Sequence, residues 1–349
     1  MRTLTCMIFL LISIVSCFAS EQDITPTERS EIIDKVIDNL ANRYVDPNLG
    51  KKAAEAIKQK KEKDAYNHLN KRDKLIQVLI NDMYEITNDK HLQLVNSKNT
   101  VQPVSTGADQ RTQQIVTSDL EAMAENKMIP KHMLQQLIKG INYGFKNAKV
   151  LDDNIAYLDI REFCSPQIAP EIFKVIDDTI KPMLNCSAVI LDLRFCSTKH
   201  TSETVMYMAS YLFGSEESFL LYELYDRENQ KTAEFRTRTD IPQKRMSEVP
   251  VYILVGPQTS SASEMLAYGL QKLGRAKIIG ENSSSTPHGT ESIDIGHGIM
   301  MVLPVNRLAH VKTKTNWQVT GVIPDVTVKA DQALNVAQDI VKKAKQNDK

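Results

Sequence analysis

A chain of 349 residues, 42% hydrophobic and 25% charged, has an ordinary globular composition and enough length for one large domain or two separate cores. Its 43 Lys plus Arg balance its 43 Asp plus Glu, so no net field draws it to nucleic acid or to an anionic membrane. No basic stripe interleaved with aromatics appears either, and nucleic acid is not an expected partner.

Residues 1–19 read as a signal peptide. Arg2 supplies positive charge, Met7 to Val15 is apolar, and Cys17-Phe18-Ala19 offers small residues around a cut after Ala19 or Ser20. The apolar run is too short to cross a bilayer. Ile14-Val15-Ser16-Cys17 also resembles a bacterial lipobox, in which Cys17 is lipidated and becomes the mature N-terminus. Export to the periplasm or medium, and a lipid tether at the membrane, are therefore both open.

Residues 20–139 read as an N-terminal helical domain. Ile32, Ile33, Val36, Ile37 and Leu40 make one helix face, with Thr27 and Ser30 as candidate cap residues. Tyr44-Val45-Asp46-Pro47 breaks that helix, because the residue before proline avoids the α region. A lysine-rich helix over 51–63 and an amphipathic one from Leu75 to Ile86 lead into the polar turn Asn88-Asp89-Lys90-His91. The stretch from Asn96 to Thr117 reads as a loop, and Asp119 to Lys139 returns to helical periodicity.

From Ile141 onward, strands and helices alternate, giving an α/β core over 140–349 with much parallel pairing. The expected strands are Ile155–Ile160, Ala188–Leu193, Phe219–Leu224, Val251–Val255, Lys277–Gly280 and Met300–Val305. The expected helices are Ala169–Leu184, Ser202–Phe213, Ala262–Leu273 and a closing one from Ala330 to Lys345. Cys164, Cys186 and Cys196 are too few for a disulfide framework and match no zinc spacing. No histidine pair has the spacing of a helix-borne metal site and no Gly-rich phosphate loop occurs, so neither metal nor cofactor is expected.

The chemistry centres on Thr259-Ser260-Ser261-Ala262-Ser263-Glu264, between a buried strand and an apolar helix. A serine at such a turn can hold its hydroxyl clear of the sheet beside free N–H groups. Ser261-x-x-Glu264 is equally a capping box, which requires no chemistry. A nucleophile would need a base, and His91 stands out among seven histidines by its polar turn at a helix end.

These residues, with Tyr44-Val45-x-Pro47, Asp89-Lys90-His91-Leu92, Leu191-Asp192-Leu193-Arg194, Arg275-Ala276-x-x-Ile279-Gly280-Glu281 and Asn316-Trp317-x-x-Thr320-Gly321-Val322-x-Pro324-Asp325, resemble the tail-specific (carboxy-terminal-processing) serine peptidase superfamily. The nearer branch is the one similar to interphotoreceptor retinoid-binding protein and the tricorn core. The resemblance implies a ClpP/crotonase-like α/β core behind a helical domain, without a PDZ domain. It implies a polypeptide substrate, with Ser261 as nucleophile and His91 as base. Gln318, where the family usually carries a glutamate, would orient His91 from the far side of the imidazole. Ala262 and Thr198 would supply oxyanion N–H groups, and Phe195 and His288 would contact substrate. The lysine base of the other branch would fall near Thr286, so a Ser-Lys dyad is not implied. Two further departures stand near the site: Phe195 to His200 replaces an Asn- and Gly-rich oxyanion turn, and Ser283 to Thr286 replaces glycines. The alternative function is a catalytically silent member that binds a peptide or apolar ligand.

Overall fold

The structure, a computed structural model, describes residues 22–96, 130–198, 201–214 and 217–347. The expected signal peptide with Cys17, nearly all of the 96–117 loop, the start of the helix expected over 119–139, and Lys199 and His200 lie outside the described residues.

The chain enters α1 (Pro26–Arg43) through Thr25, whose hydroxyl accepts the Glu28 N–H at 3.2 Å while the Glu28 carboxylate accepts the Thr25 N–H at 2.7 Å. The cap thus precedes the expected Thr27, because Pro26 presets the backbone of the first helical residue. Asp46 starts α2 (Pro47–Glu62) by accepting the N–H groups of Asn48 and Leu49 at 2.9 and 3.0 Å. The next helix, α3 (Arg72–Thr87), stops at Asn88 in the left-handed conformation, φ 48°, and a short turn leads to β1 (Gln93–Asn96). Ile32, Val36, Leu40, Ala53, Ile57, Leu75 and Leu79 from the three helices share one apolar cluster. Leu94 of β1 and Ile299, Met301, Leu303 and Val305, far along the chain, complete it.

After α4 (Lys131–Gly140) come β2 (Phe145–Leu151), β3 (Ile155–Ile160), α5 (Ile172–Ile180), β4 (Ala188–Asp192), β5 (Ser197–Thr198) and α6 (Ser202–Ser210). The hairpin β6 (Leu220–Asp226) and β7 (Lys231–Arg236) follows, then β8 (Val251–Val255), β9 (Ser260–Ser261), α7 (Ala262–Lys272) and β10 (Lys277–Gly280). The chain closes with β11 (Gly289–Asp294), β12 (Ile299–His310), β13 (Val326–Thr327) and α8 (Ala333–Asn347).

The main sheet runs β13-β10-β8-β4-β3-β2, parallel throughout except for β2 against β3. Every residue of β3, β4 and β8 is buried, as continuous apolar runs require when helices cover both faces. Ile172, Ile176 and Ile180 of α5, Val205 of α6 and Leu266 and Leu270 of α7 cover one face. Ala333, Ala337 and Val341 of α8 cover the other. The architecture is the expected α/β core.

The second sheet, β1-β12-β6-β7 with β11 added, is antiparallel. Both β1 and β11 pair with Met300–Val302, so they occupy opposite edges of β12. The strands β2 and β7 escape sequence reading because nearly all their residues are solvent-exposed and show no apolar period. Cys164, Cys186 and Cys196 are buried and unbridged. No helix among the described residues is long and apolar enough to cross a membrane.

Candidate active site

The C-terminal ends of β4 and β8 carry the candidate nucleophile, the end of a parallel sheet where ligands gather. Fully buried Thr259 donates its hydroxyl to the Leu193 carbonyl at 2.7 Å and accepts the Gly256 N–H at 2.9 Å, pinning the turn after β8 to the end of β4. Ser260 donates its N–H to the Cys196 carbonyl at 3.0 Å. Next to it β9 pairs in parallel with β5, Ser260 opposite Ser197 and Thr198 opposite Ser261. The segment expected to border the serine does so, through Ser197 and Thr198.

Ser261 has φ 54° and ψ −114°, a conformation costly for a residue with a Cβ. Such strain is characteristic of sharp strand-to-helix turns that expose a nucleophilic serine. Ala262 opens α7, and its N–H, like those of the rest of the first turn, has no acceptor within the helix.

Glu264 does more than cap. Fully buried, its carboxylate accepts the N–H groups of Ser261 (2.8 Å), Ser285 (2.7 Å) and Thr286 (2.9 Å) and the hydroxyls of Ser283 (2.5 Å) and Thr286 (2.6 Å). The Thr286 hydroxyl oxygen also accepts the Ser261 N–H at 2.8 Å. One carboxylate therefore fixes the nucleophile turn and the 283–286 loop together. Ser285 (φ 70°) and Val319 (φ 74°) are further strained non-glycine positions nearby, and the Ser285 hydroxyl donates to the Trp317 carbonyl at 3.2 Å. Gly321, at φ 69°, closes against the same loop: a Cβ there would lie 2.4 Å from the Ser283 carbonyl oxygen.

His91 follows the αL turn at Asn88. Asp89, 2% exposed, accepts the His91 N–H on Oδ1 at 2.9 Å and the Tyr44 hydroxyl on Oδ2 at 2.9 Å. The same Oδ1 is 3.9 Å from His91 Nδ1. Burial first, then the Asp89 charge, pushes the Tyr44 phenol far above its ordinary range, so it serves as a neutral donor. The Lys90 ammonium donates to the Ser284 carbonyl at 3.0 Å, seating the His91 turn on the loop that Glu264 binds to Ser261.

Gln318 departs from its expected partner. Its Oε1 lies 2.9 Å from Nε2 of His288, a residue 6% exposed. The cause is backbone placement. The Asn316 side-chain amide donates to the Leu308 carbonyl at 2.8 Å and its oxygen accepts the Gln318 N–H at 2.9 Å, while buried Trp317 anchors the segment beside the 283–288 loop. His288, expected to contact substrate, is thus engaged by Gln318.

Thr198 is 1% exposed and its hydroxyl accepts the Phe163 N–H at 3.0 Å, which leaves only its backbone for an oxyanion role. Phe195 is 39% exposed, with the Arg161 and Arg194 guanidiniums 4.6 and 5.7 Å from its ring centroid. Each guanidinium is held bidentately, by Asp159 and Asp192. Burial pushes the Cys196 thiol up to about 12, so it is no nucleophile. Among the described residues no group of three His, Cys, Asp or Glu could hold a metal ion. The hub role of Glu264 and the closeness of Asp89 to His91 are the features sequence reasoning missed. The Asp89-x-His91 spacing was the available signal for the second.

The model of the family described as Peptidase family S41 matches residues 154–328, half of the chain. Among solved structures, a protein of Parabacteroides merdae ATCC 43184 that bears the name peptidase superposes with a TM-score of 0.57 at 17% identity, covering 91% of this chain and 97% of its own. A lipoprotein from Streptococcus agalactiae gives 0.53 at 12% identity, covering 92% and 98%. The photosystem II D1 C-terminal processing protease gives 0.50 at 13% identity, covering 88% and 94%. At these identities the likeness is one of fold.

Proposed function

The chain belongs to peptidase family S41, a family of serine-type hydrolases, and on that premise we propose that it is an exported peptidase that cuts polypeptide chains through Ser261. The Ser261 Oγ attacks the scissile carbonyl carbon as its proton passes to His91. The C–N bond then breaks, His91 returns the proton to the departing amine, and an ester to Ser261 remains. A water, deprotonated by His91, hydrolyses that ester and restores the serine. In this reading the Ala262 N–H supports the oxyanion, while the Thr198 backbone is tied up in the parallel pairing of β5 with β9. Phe195, partly exposed, offers an apolar contact to substrate. Export follows from the 1–19 leader, with Cys17 as the tether if the lipobox is used.

The observation that carries this reading is the strained Ser261 backbone at the end of β8, held by Glu264 and Thr286. The expected capping box between Ser261 and Glu264 is formed, but a cap alone has no need of such a conformation, since caps ordinarily take extended φ and ψ. A fluorophosphonate should label wild type and spare Ser261→Ala, and only wild type should digest an unfolded polypeptide. A folded wild type that neither labels nor digests would overturn the reading. The second reading, a silent binding protein, is favoured by residue 318, a glutamine bonded to His288 where the family usually carries a glutamate. Equal, negligible digestion by wild type and Ser261→Ala, together with saturable binding of a peptide or apolar ligand, would establish it.

A further inference from the structure

We propose that Asp89 is the positioning residue for His91, supplying the negative charge that Gln318 does not; this rests on the reading of His91 as the base. Asp89 is 2% exposed and its carboxylate is fixed at both oxygens, by the Tyr44 hydroxyl and by the His91 N–H. Its Oδ1 lies 3.9 Å from Nδ1 of an imidazole whose side chain is only 17% exposed. With Nδ1 on the Asp89 side, Nε2 is on the opposite edge of the ring, the arrangement in which a carboxylate steadies the imidazolium formed when serine is deprotonated. At that separation the interaction is coulombic rather than a hydrogen bond, and such contacts tighten when substrate binds.

Three other described groups near the turn have partners of their own. Tyr44 is a neutral donor, and Lys90 is spent on the Ser284 carbonyl. Gln318 is an amide and is bonded to His288. Asp89 thus sits two residues from the base on the same turn, so its placement survives any shift of the 316–322 segment.

The test is Asp89→Asn, which preserves shape and the acceptor for the His91 N–H. NMR titration of the His91 ring should show its midpoint falling by about 1 pH unit. Peptide hydrolysis should lose between about 10²- and 10⁴-fold in kcat with KM little changed. Gln318→Ala should leave the His91 midpoint where it is in wild type. An unchanged midpoint in Asp89→Asn, or an equal fall in Gln318→Ala, overturns the proposal. If Asp89→Asn fails to fold, Tyr44→Phe decides: it leaves the carboxylate but removes a donor from it, so the His91 midpoint should rise, and no change would overturn the proposal. Because the titration needs no turnover, a protein that neither labels nor digests refutes the peptidase reading while the role of Asp89 is still measured.

Discussion

His310 makes acid stability calculable. It is the last residue of β12, fully buried, with the rings of Tyr222 and Tyr268 edge-on at 5.4 and 5.9 Å. Among the described residues neither ring nitrogen makes a full hydrogen bond, and the Gly269 backbone offers only a weak one. Burial first, then the charges of Lys272 and Lys312, lower its pKa from 6.5 to about 4. Above pH 6.5 the imidazole is neutral in both folded and unfolded chains, and its full contribution is present. Between 6.5 and about 4 the unfolded chain takes up a proton that the folded one refuses, so stability falls as pH falls. Each pH unit of that window costs up to about 1.4 kcal/mol, and the whole window about 3 kcal/mol. Below about 4 both states are protonated and the loss levels off. His310→Leu removes the titration and two buried nitrogens that lack a full hydrogen bond, at the cost of the aromatic edge contacts. Urea unfolding of wild type and His310→Leu at half-unit steps from pH 7.5 to 3.5 isolates the effect, since all other titrations cancel in the difference. The variant should gain about 3 kcal/mol on wild type across the window. A difference that stays flat with pH would refute the reasoning.

Gly321→Ala must place a methyl group 2.4 Å from the Ser283 carbonyl oxygen at a left-handed φ, and should lose about 2 kcal/mol in urea unfolding, followed by the emission of the single tryptophan, Trp317. Glu264→Gln replaces an acceptor of five hydrogen bonds with an amide that must aim an N–H at donors; stability should fall by about 3 kcal/mol and fluorophosphonate labelling of Ser261 by about 10²-fold. Unchanged labelling in Glu264→Gln would show that the 283–286 loop does not set the serine's geometry.

The elements easiest to read in the sequence are those whose environment is written in their own residues. Ile155–Ile160, Val251–Val255 and Lys277–Gly280 appear at their expected bounds, because a strand sandwiched between helix layers needs a mostly apolar run. The break at Tyr44 to Pro47 and the start of α7 after Ser261 are likewise local, set by proline geometry and by Glu264 reaching back to the Ser261 N–H. β12 runs to His310 rather than the expected Val305, since β6 pairs with its second half and a partner strand is not visible in the strand's own sequence.

The sequence by itself determined the buried strands of the main sheet and the helices between them, the turn that bears Ser261 and the turn that bears His91, because each depends on residues within a few positions of one another. Only the tertiary structure decided which side chains meet across those turns. Gln318 finds His288 thirty residues away because buried Trp317 and Asn316 fix the segment beside the 283–288 loop. The helices α1 to α3 complete their core with Ile299, Met301, Leu303 and Val305 because an amphipathic helix states that it must bury a face, and not against what. Hydrophobic periodicity is a property of neighbours along the chain; partner choice is settled by packing, where shape and unsatisfied polar groups across the whole fold are weighed together.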